Sequence, residues 1–154
     1  MPVPRSVRES SQLRVAAERL ADIFCVMQRK FLVSLSKDLA KGNVSFPQYL
    51  LLGFLVQNER MSMTEIATRM GHTTAAATGL VDRLEKLGFV RRIHAEDDRR
   101  MVFVRPTPAG SALVADVRDD MVANVLKMMQ LLGPDEQKAW VRIYEKVSTF
   151  CPSP

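Results

Sequence analysis

The sequence predicts a mainly α-helical protein that carries a small β-wing of two or three strands. Three observations support this fold class. Apolar residues recur every three to four positions in two long stretches, one near each end of the chain. Between them, two short helical patterns are separated by Gly71. After Gly88, two strand-like runs flank a charged loop at residues 95–100. This order is typical of a winged helix-turn-helix between two sets of long helices.

The first long helix is predicted from residue 11, after a mobile arm at residues 1–10 that contains two prolines. Its apolar stripe consists of Leu13, Ala17, Leu20, Phe24, Met27, Phe31 and Leu35. Because this stripe is too long for a small module to cover, we expect a partner subunit to pack against it. The helix should end at residues 41–43, where Gly42 and Asn43 follow a lysine.

The second helix should form the core, because residues 48–56 are apolar on nearly all sides. Ser45 is its predicted N-cap, and Pro47 lies in its first turn. A turn is expected at residues 58–60.

A helix pair follows. Ser62 and Glu65 match the capping box, which predicts a helix at 64–70 that ends at Gly71. The next helix is predicted at 73–87, with Gly88 as its left-handed stop. Its inward face should consist of Ala77, Leu80, Val81, Leu84 and Leu87.

The wing is predicted as strands at 89–94 and 101–105, the second of which ends at Pro106 because proline cannot donate to a ladder. Thr107 then caps a second long helix. The apolar stripe of this helix consists of Leu113, Val117, Met121, Val125, Met128 and Leu132. Gly133 and Pro134 break it before a last helix, whose apolar face holds Trp140, Tyr144 and Val147.

These elements divide the chain into three predicted parts. An N-terminal arm and dimerisation helix occupy residues 1–44, and a winged helix-turn-helix DNA-binding domain occupies residues 45–106. C-terminal dimerisation helices occupy residues 107–154.

The net charge of +5 favours an anionic partner, although a generally solvated basic surface would have the same composition. The excess lies in residues 1–41, with eight basic and four acidic residues, and in residues 60–105, with nine and six. The two cysteines, Cys25 and Cys151, form no CxxC pair, and we expect a reducing cytoplasm. The longest apolar run, residues 49–56, is far too short for a membrane span, so no membrane partner is expected.

The second helix of the pair begins with small side chains, which suit a helix that enters a DNA major groove. These are Thr73, Thr74, Ala75, Thr78 and Gly79. Their methyl groups can contact thymine methyls, and their hydroxyls can bond phosphates or base edges. An ordinary helix hairpin with a plain exposed face would show the same pattern.

The loop at residues 95–100 places Asp97 and Asp98 two residues before Arg99 and Arg100. A carboxylate at this spacing can hold a guanidinium in a bidentate pair, and an arginine at such a tip fits a narrow minor groove. Most charged turns are merely solvated. The position of this one directly after a helix-turn-helix favours DNA.

The chain resembles the MarR family of transcriptional regulators along nearly its whole length. The similar segments are Phe46-Pro-Gln-Tyr-Leu, Met63-Thr-Glu-Ile-Ala-Thr-Arg-Met-Gly, Leu80-Val-Asp-Arg-Leu-Glu-Lys-Leu-Gly-Phe-Val, Asp98-Arg-Arg and Thr107-Pro-Ala-Gly. The resemblance implies a homodimer that binds a pseudo-palindromic operator in double-stranded DNA, commonly as a repressor that a small anionic or aromatic ligand, or an oxidant, releases.

By the same resemblance, Asp98 organises the wing, Arg100 enters the minor groove beside Arg99, and the helix from Thr73 enters the major groove. Further phosphate neighbours would be Arg83, Lys86, Arg91 and Arg92. The chain departs from the family pattern at Gly79, which weakens the helix and leaves base readout there in doubt, and at Pro106, which should loosen the base of the wing.

Some relatives in this family sense organic hydroperoxides through a cysteine in the first helix, which makes Cys25 a redox candidate. It lies beside the apolar stripe, and a buried structural cysteine is the favoured interpretation. His72 and His94 lack neighbours with ligand spacing, so no metal or cofactor is expected. No catalytic motif is present, and we expect no enzyme. A winged-helix module that binds another protein instead of DNA is the alternative function.

Overall fold

The computed structural model describes residues 5–94 and 101–149, with side chains described from Ser11 onward. The elements in this part of the chain are α1 (Arg5–Lys41), α2 (Phe46–Asn58), β1 (Met61–Ser62), α3 (Met63–Met70), α4 (Thr74–Lys86), β2 (Val90–His94), β3 (Val102–Pro106), α5 (Pro108–Met129) and α6 (Pro134–Ser148). A mainly helical fold with a small antiparallel sheet is therefore confirmed. The chain divides into two compact units, Met1–Lys41 and Gly42–Pro154.

The N-terminal unit consists of α1. This helix begins at Arg5, so the mobile arm predicted at residues 1–10 is wrong for residues 5–10. These six residues include no glycine or proline, and nothing in them interrupts a helix once Pro4 has been passed. The predicted stripe is largely uncovered in the single chain, where Leu13 is 72% exposed and Leu20 66%.

The core of the C-terminal unit lies where α2, α3 and α4 pack on the sheet. Its fully buried side chains are Leu51, Leu52, Leu55, Ile66, Val81, Leu84 and Val104. Each such side chain contributes about 1.5–3 kcal/mol relative to an exposed position. The core role of α2 is confirmed, and so is the inward face of α4, on which Ala77 is fully buried while Leu80 and Leu87 pack at the edge.

One buried polar residue in α2 was not anticipated. Gln48 is 3% exposed, and its Oε1 accepts a hydrogen bond from the Ser45 backbone N–H at 2.8 Å. This bond satisfies a donor at the start of α2 and ties the predicted N-cap to the third helical position.

The sheet has three strands in the order β1-β3-β2, with both neighbouring pairs antiparallel. The sequence left open whether β1 exists. Met61 pairs with Val104, and both side chains are buried. The strand β3 ends at Pro106 as predicted, opposite Val90.

The base of the wing is held by Thr107, the N-cap of α5. Its hydroxyl donates to the Gly88 carbonyl at 2.7 Å, and its backbone N–H donates to the Phe89 carbonyl at 3.0 Å. Gly110 packs against the same segment, where a Cβ would lie 2.1 Å from the Phe89 oxygen. These contacts anchor the strand end that Pro106 was expected to loosen.

Candidate nucleic-acid interface

Helix α3, which leads into the turn before α4, is capped at both ends. At the start of α3, the Ser62 backbone N–H donates to Glu65 Oε2 at 2.7 Å, and Ser62 Oγ accepts from the Glu65 N–H at 3.3 Å. These bonds are the predicted capping box. The backbone hydrogen bond and then the hydroxyl bond from Ser62 lower the pKa of Glu65. The carboxylate is therefore held in its charged form beside the positive end of the helix dipole.

At the end of α3, Gly71 adopts φ +63°, the left-handed conformation expected of it. The N–H of His72 donates to the Ala67 carbonyl at 2.9 Å, and that of Gly71 to the Thr68 carbonyl at 3.1 Å. This pair of bonds is a Schellman motif, which satisfies carbonyls that a helix end leaves free. A rigid turn therefore leads into α4.

The first turn of α4 presents the predicted readout residues to solvent. Thr73, Thr74 and Ala75 are exposed, while Thr78 is half-buried. Thr73 Oγ1 accepts from the Ala76 N–H at 3.3 Å, so its own proton remains available for a phosphate oxygen. Thr78 Oγ1 donates to the Thr74 carbonyl at 2.8 Å, which leaves its oxygen as an acceptor only.

Two further features of this turn support an anion site. The backbone N–H groups of a first helical turn point away from the helix, and the helix dipole favours negative charge there.

Ala76, which was not among the predicted readout residues, is also exposed. Ala76 directly precedes Ala77, which belongs to the inward apolar face, and the apolar spacing alone did not identify Ala76 as an exposed residue.

The predicted phosphate neighbours separate into two groups. Arg83, Lys86 and Arg91 are exposed and stay candidates. Arg92 is half-buried and pairs with α4 instead: its Nη2 lies 2.6 Å from Asp82 Oδ1, and its Nη1 is bonded to Glu85 Oε2. Its backbone N–H also donates to Glu85 Oε1 at 3.0 Å.

The charge state of Arg92 follows from these contacts. Partial burial acts to lower the pKa of Arg92, but the hydrogen bonds to Asp82 and Glu85 outweigh it and raise that pKa. Arg92 is thus a cation already occupied by two carboxylates. The expectation of a simple phosphate neighbour is not supported at this position.

The predicted wing-tip residues Asp97, Asp98, Arg99 and Arg100 lie outside the described residues, so their roles stay predictions. A side-chain contact holds β3, one of the two strands next to this tip. The Arg60 guanidinium lies 4.8 Å from the centre of the ring of Phe103, which belongs to β3. This cation–π contact joins the segment before β1 to the wing, and no sequence spacing indicates it.

Cys25 differs from its favoured interpretation, because it is exposed in the single chain. Its neighbours on α1, Phe24 and Val26, are exposed as well. Proximity to the apolar stripe of α1 does not bury Cys25, because most of that stripe is itself uncovered in the single chain. Cys151 lies outside the described residues.

Within the ranges that the structure describes, no group of three or more His, Cys, Asp or Glu side chains could hold a metal ion. His72 and His94 are both exposed. None of the helices in these ranges is long and apolar enough to cross a membrane.

Comparison with known proteins places this geometry in a family. A family model described as the MarR family matches residues 43–101, from the end of α1 to the start of β3. The chain is also 35% identical over 108 residues to the HTH-type transcriptional regulator YfiV of Bacillus subtilis, across 70% of this chain and 66% of that protein. The chain belongs to the MarR family.

Other MarR-type relatives are more distant. The HTH-type transcriptional repressor YetL of Bacillus subtilis is 30% identical, over 66% of this chain and 63% of its own. The organic hydroperoxide resistance transcriptional regulator of the same organism is 26% identical, over 73% and 76%. The chain thus spans about two thirds of the length of the first two relatives.

Solved structures share the MarR fold. A MarR family protein from Bacillus stearothermophilus matches with a TM-score of 0.75 at 20% identity, over 88% of this chain and 94% of its own. A MepR mutant of S. aureus, bound to an oligodeoxyribonucleotide, matches with a TM-score of 0.70 at 16% identity, over 86% and 98%. NadR in complex with 4-hydroxyphenylacetate matches with a TM-score of 0.56 at 20% identity, over 82% and 91%.

Proposed function

We propose that this MarR-family chain is a sequence-specific regulator that binds duplex DNA through α4 and the wing. The observation that carries the proposal is the exposed first turn of α4. It combines small methyl and hydroxyl side chains with the positive end of the helix dipole, and it follows a turn that the Gly71 motif holds with two hydrogen bonds. Such a surface can approach base edges and phosphates closely.

We further propose that the regulator acts as a homodimeric repressor on a pseudo-palindromic operator. The uncovered apolar faces of α1 and of α5–α6 support a second copy as their cover. In a dimer, the two readout helices would enter half-sites about 34 Å apart, one turn of DNA. The repressor YetL supports repression, and the aromatic acid bound to NadR supports a small anionic or aromatic effector.

A charge placed in the first turn of α4 tests the DNA interface. Ala75 is exposed at the second helical position, where a glutamate favours the helix dipole but would repel phosphates. We expect Ala75→Glu to weaken operator binding by about tenfold or more, the scale of a lost specific contact, while the protein stays folded.

The matched control is Ala109→Glu, the same substitution at the same position of α5, also exposed. It lies at the end of the hairpin opposite the tip and should leave binding unchanged. The operator itself comes from selection among random duplexes, in which an inverted repeat should be enriched. Retention without enrichment would indicate backbone binding only, and no retention by the wild type would favour the protein-interaction module.

A second candidate function is peroxide sensing through Cys25, which its exposure and the likeness to the organic hydroperoxide resistance transcriptional regulator favour. A Cys25 thiolate would attack the terminal oxygen of a hydroperoxide and break its O–O bond, so that the sulfur becomes a sulfenic acid and the departing alkoxide takes a proton from water to become an alcohol. The test is operator release on addition of cumene hydroperoxide, with Cys25→Ser as the control. Release from both proteins, or from neither, would contradict a sensing role.

A further inference from the structure

We infer that Arg92 is a positioning residue that pairs with two carboxylates on the DNA-binding helix and fixes the wing strand to it. The inference rests on the proposed function, since it assigns a role within the same interface. Asp82 and Glu85 are three residues apart on α4 and therefore share a face of the helix. Both are bonded to the single guanidinium of Arg92.

The two carboxylates are poorly placed for a helix that approaches DNA. They lie in the second half of α4, where the negative end of the helix dipole disfavours acidic side chains. Their side chains are 50% and 38% exposed, so neither is hidden from an approaching phosphate backbone by burial. Arg92 offsets one of the two negative charges and is itself shielded, with 29% of its side chain exposed.

The same contacts attach β2, the first long strand of the wing, to α4. Arg92 lies in β2, opposite Val104 and two residues before the end of the strand at His94. Its guanidinium bonds two side chains of α4, and its backbone N–H bonds Glu85 as well. A strand held at three points to the readout helix sets the spacing between the major-groove contact and the segment that follows β2.

Arg91 provides a matched control, because it is the same residue type at the neighbouring position of the same strand. Successive side chains of a strand point to opposite faces. Arg91 is exposed, and no carboxylate among the described residues lies within ion-pair distance of it. A substitution at Arg91 thus removes an equal charge without opening the contacts to α4. Since Arg91 stays a candidate phosphate neighbour, Arg91→Gln is the reference for a lost phosphate contact and should lower the slope of log affinity against log salt by about one.

The test compares Arg92→Gln, Arg91→Gln, the double variant Asp82→Asn/Glu85→Gln, and the triple variant that combines it with Arg92→Gln. Operator affinity is measured as a function of salt concentration for each. We expect Arg92→Gln to weaken binding by about tenfold because two uncompensated carboxylates then face the phosphates. The triple variant should recover most of the lost operator affinity. The slope of log affinity against log salt should be the same for Arg92→Gln as for the wild type.

A phosphate contact predicts a different pattern. The triple variant would then stay as weak as Arg92→Gln, and the slope of log affinity against log salt would fall by about one. Either result would overturn the positioning role. An affinity of folded Arg92→Gln equal to that of the wild type would overturn it too.

A measurement without DNA separates this inference from the proposed function. The free energies of unfolding of the wild type, Arg92→Gln, Asp82→Asn/Glu85→Gln and the triple variant, measured in denaturant, form a double-mutant cycle between Arg92 and its two carboxylates. The contacts predict a coupling in this cycle, and a parallel cycle in which Arg91→Gln replaces Arg92→Gln should show none. A wild type that binds no duplex but shows this coupling would contradict the proposed function and the DNA role of Arg92, while zero coupling would contradict the contacts themselves.

Discussion

At the scale of single residues, two glycines should respond in opposite ways to substitution by alanine. Gly110 lies in the first turn of α5, where a Cβ would be 2.1 Å from the Phe89 carbonyl oxygen and 3.1 Å from Leu52 Cδ1. We expect Gly110→Ala to destabilise the protein by about 1–3 kcal/mol or more, because the backbone must shift to relieve the overlap. Denaturant unfolding checks this, and an unchanged midpoint would contradict the close packing of α5 on the wing base.

Gly79 lies in the interior of α4, where a Cβ would meet no heavy atom within 4 Å apart from its chain neighbours and the backbone of its own helix. The glycine therefore weakens the helix without serving a packing need in the single chain. We expect Gly79→Ala to raise the free energy of unfolding by about 0.5–1 kcal/mol, since alanine has less freedom to lose. A lower stability in the same denaturant experiment would show that α4 is more crowded at this position than the structure indicates.

At the scale of elements, the capping box makes α3 sensitive to acid. The pKa of Glu65 is lowered in the folded protein, so its stabilising contribution is present above the ordinary glutamate value of about 4.3. That contribution is lost as the pH falls through the lowered folded pKa. Glutamine keeps the hydrogen bonds without the charge, so Glu65→Gln should be less stable than the wild type at neutral pH.

The difference between the two proteins should vanish in strong acid, where both side chains are neutral. Thermal unfolding across this pH range measures it. Ser62→Ala serves as the companion variant, because it removes the hydroxyl and should lower stability by about 1 kcal/mol. Identical acid profiles for Glu65→Gln and the wild type would show that the carboxylate adds nothing beyond a neutral hydrogen bond.

At the scale of the whole molecule, large apolar side chains remain uncovered in both units. On α1, Leu20 is 66% exposed, and on α5 and α6 Leu126 and Ile143 are each 54% exposed. Exposed apolar surface of this extent is typical of an interface. Since these residues are not needed for the core of the single chain, they can be changed without unfolding it.

We expect Leu20→Lys to shift a dimer toward monomers in sedimentation at micromolar concentration, because a lysine would be buried in the interface. Gln12→Lys places the same charge at an exposed polar position of α1 and should leave the association state unchanged. A wild type that sediments as a monomer would contradict the proposed dimer. Equal dissociation in both variants would point to general charge repulsion.

Much of the fold was predictable because it depends on neighbours in sequence. Local signals set the boundaries of helices α2 to α5 to within a residue or two. These signals are the Ser62–Glu65 capping box, the glycines at 71 and 88, and the hydroxyl residues Ser45, Thr73 and Thr107 that precede helices. The apolar spacing likewise identified the buried face of α4 and the core helix α2. Thr73, Thr74 and Ala75 were correctly placed on an exposed turn at the start of α4 for the same reason, whereas Thr78 is half-buried.

Other features required the tertiary structure, because they join residues that no local pattern relates. The strand β1 has two residues and is defined only by its pairing with β3, while Ser62 within it also caps α3. The contacts of Arg92 with α4 depend on how β2 packs, and a basic residue beside another basic residue does not reveal which of them is occupied. The exposure of Cys25 likewise depends on what covers α1.

Apart from the start of α1, the sequence by itself determined where the helices start and stop and which faces are apolar, since caps, glycines and periodicity act within about one turn. Only the tertiary structure decided that a third strand forms and that position 110 requires glycine. It alone also decided that Arg92 pairs with α4 while Arg91 stays exposed. Hydrogen bonds and close approaches between distant segments are not encoded in any single stretch. They arise when the packed core brings those segments together.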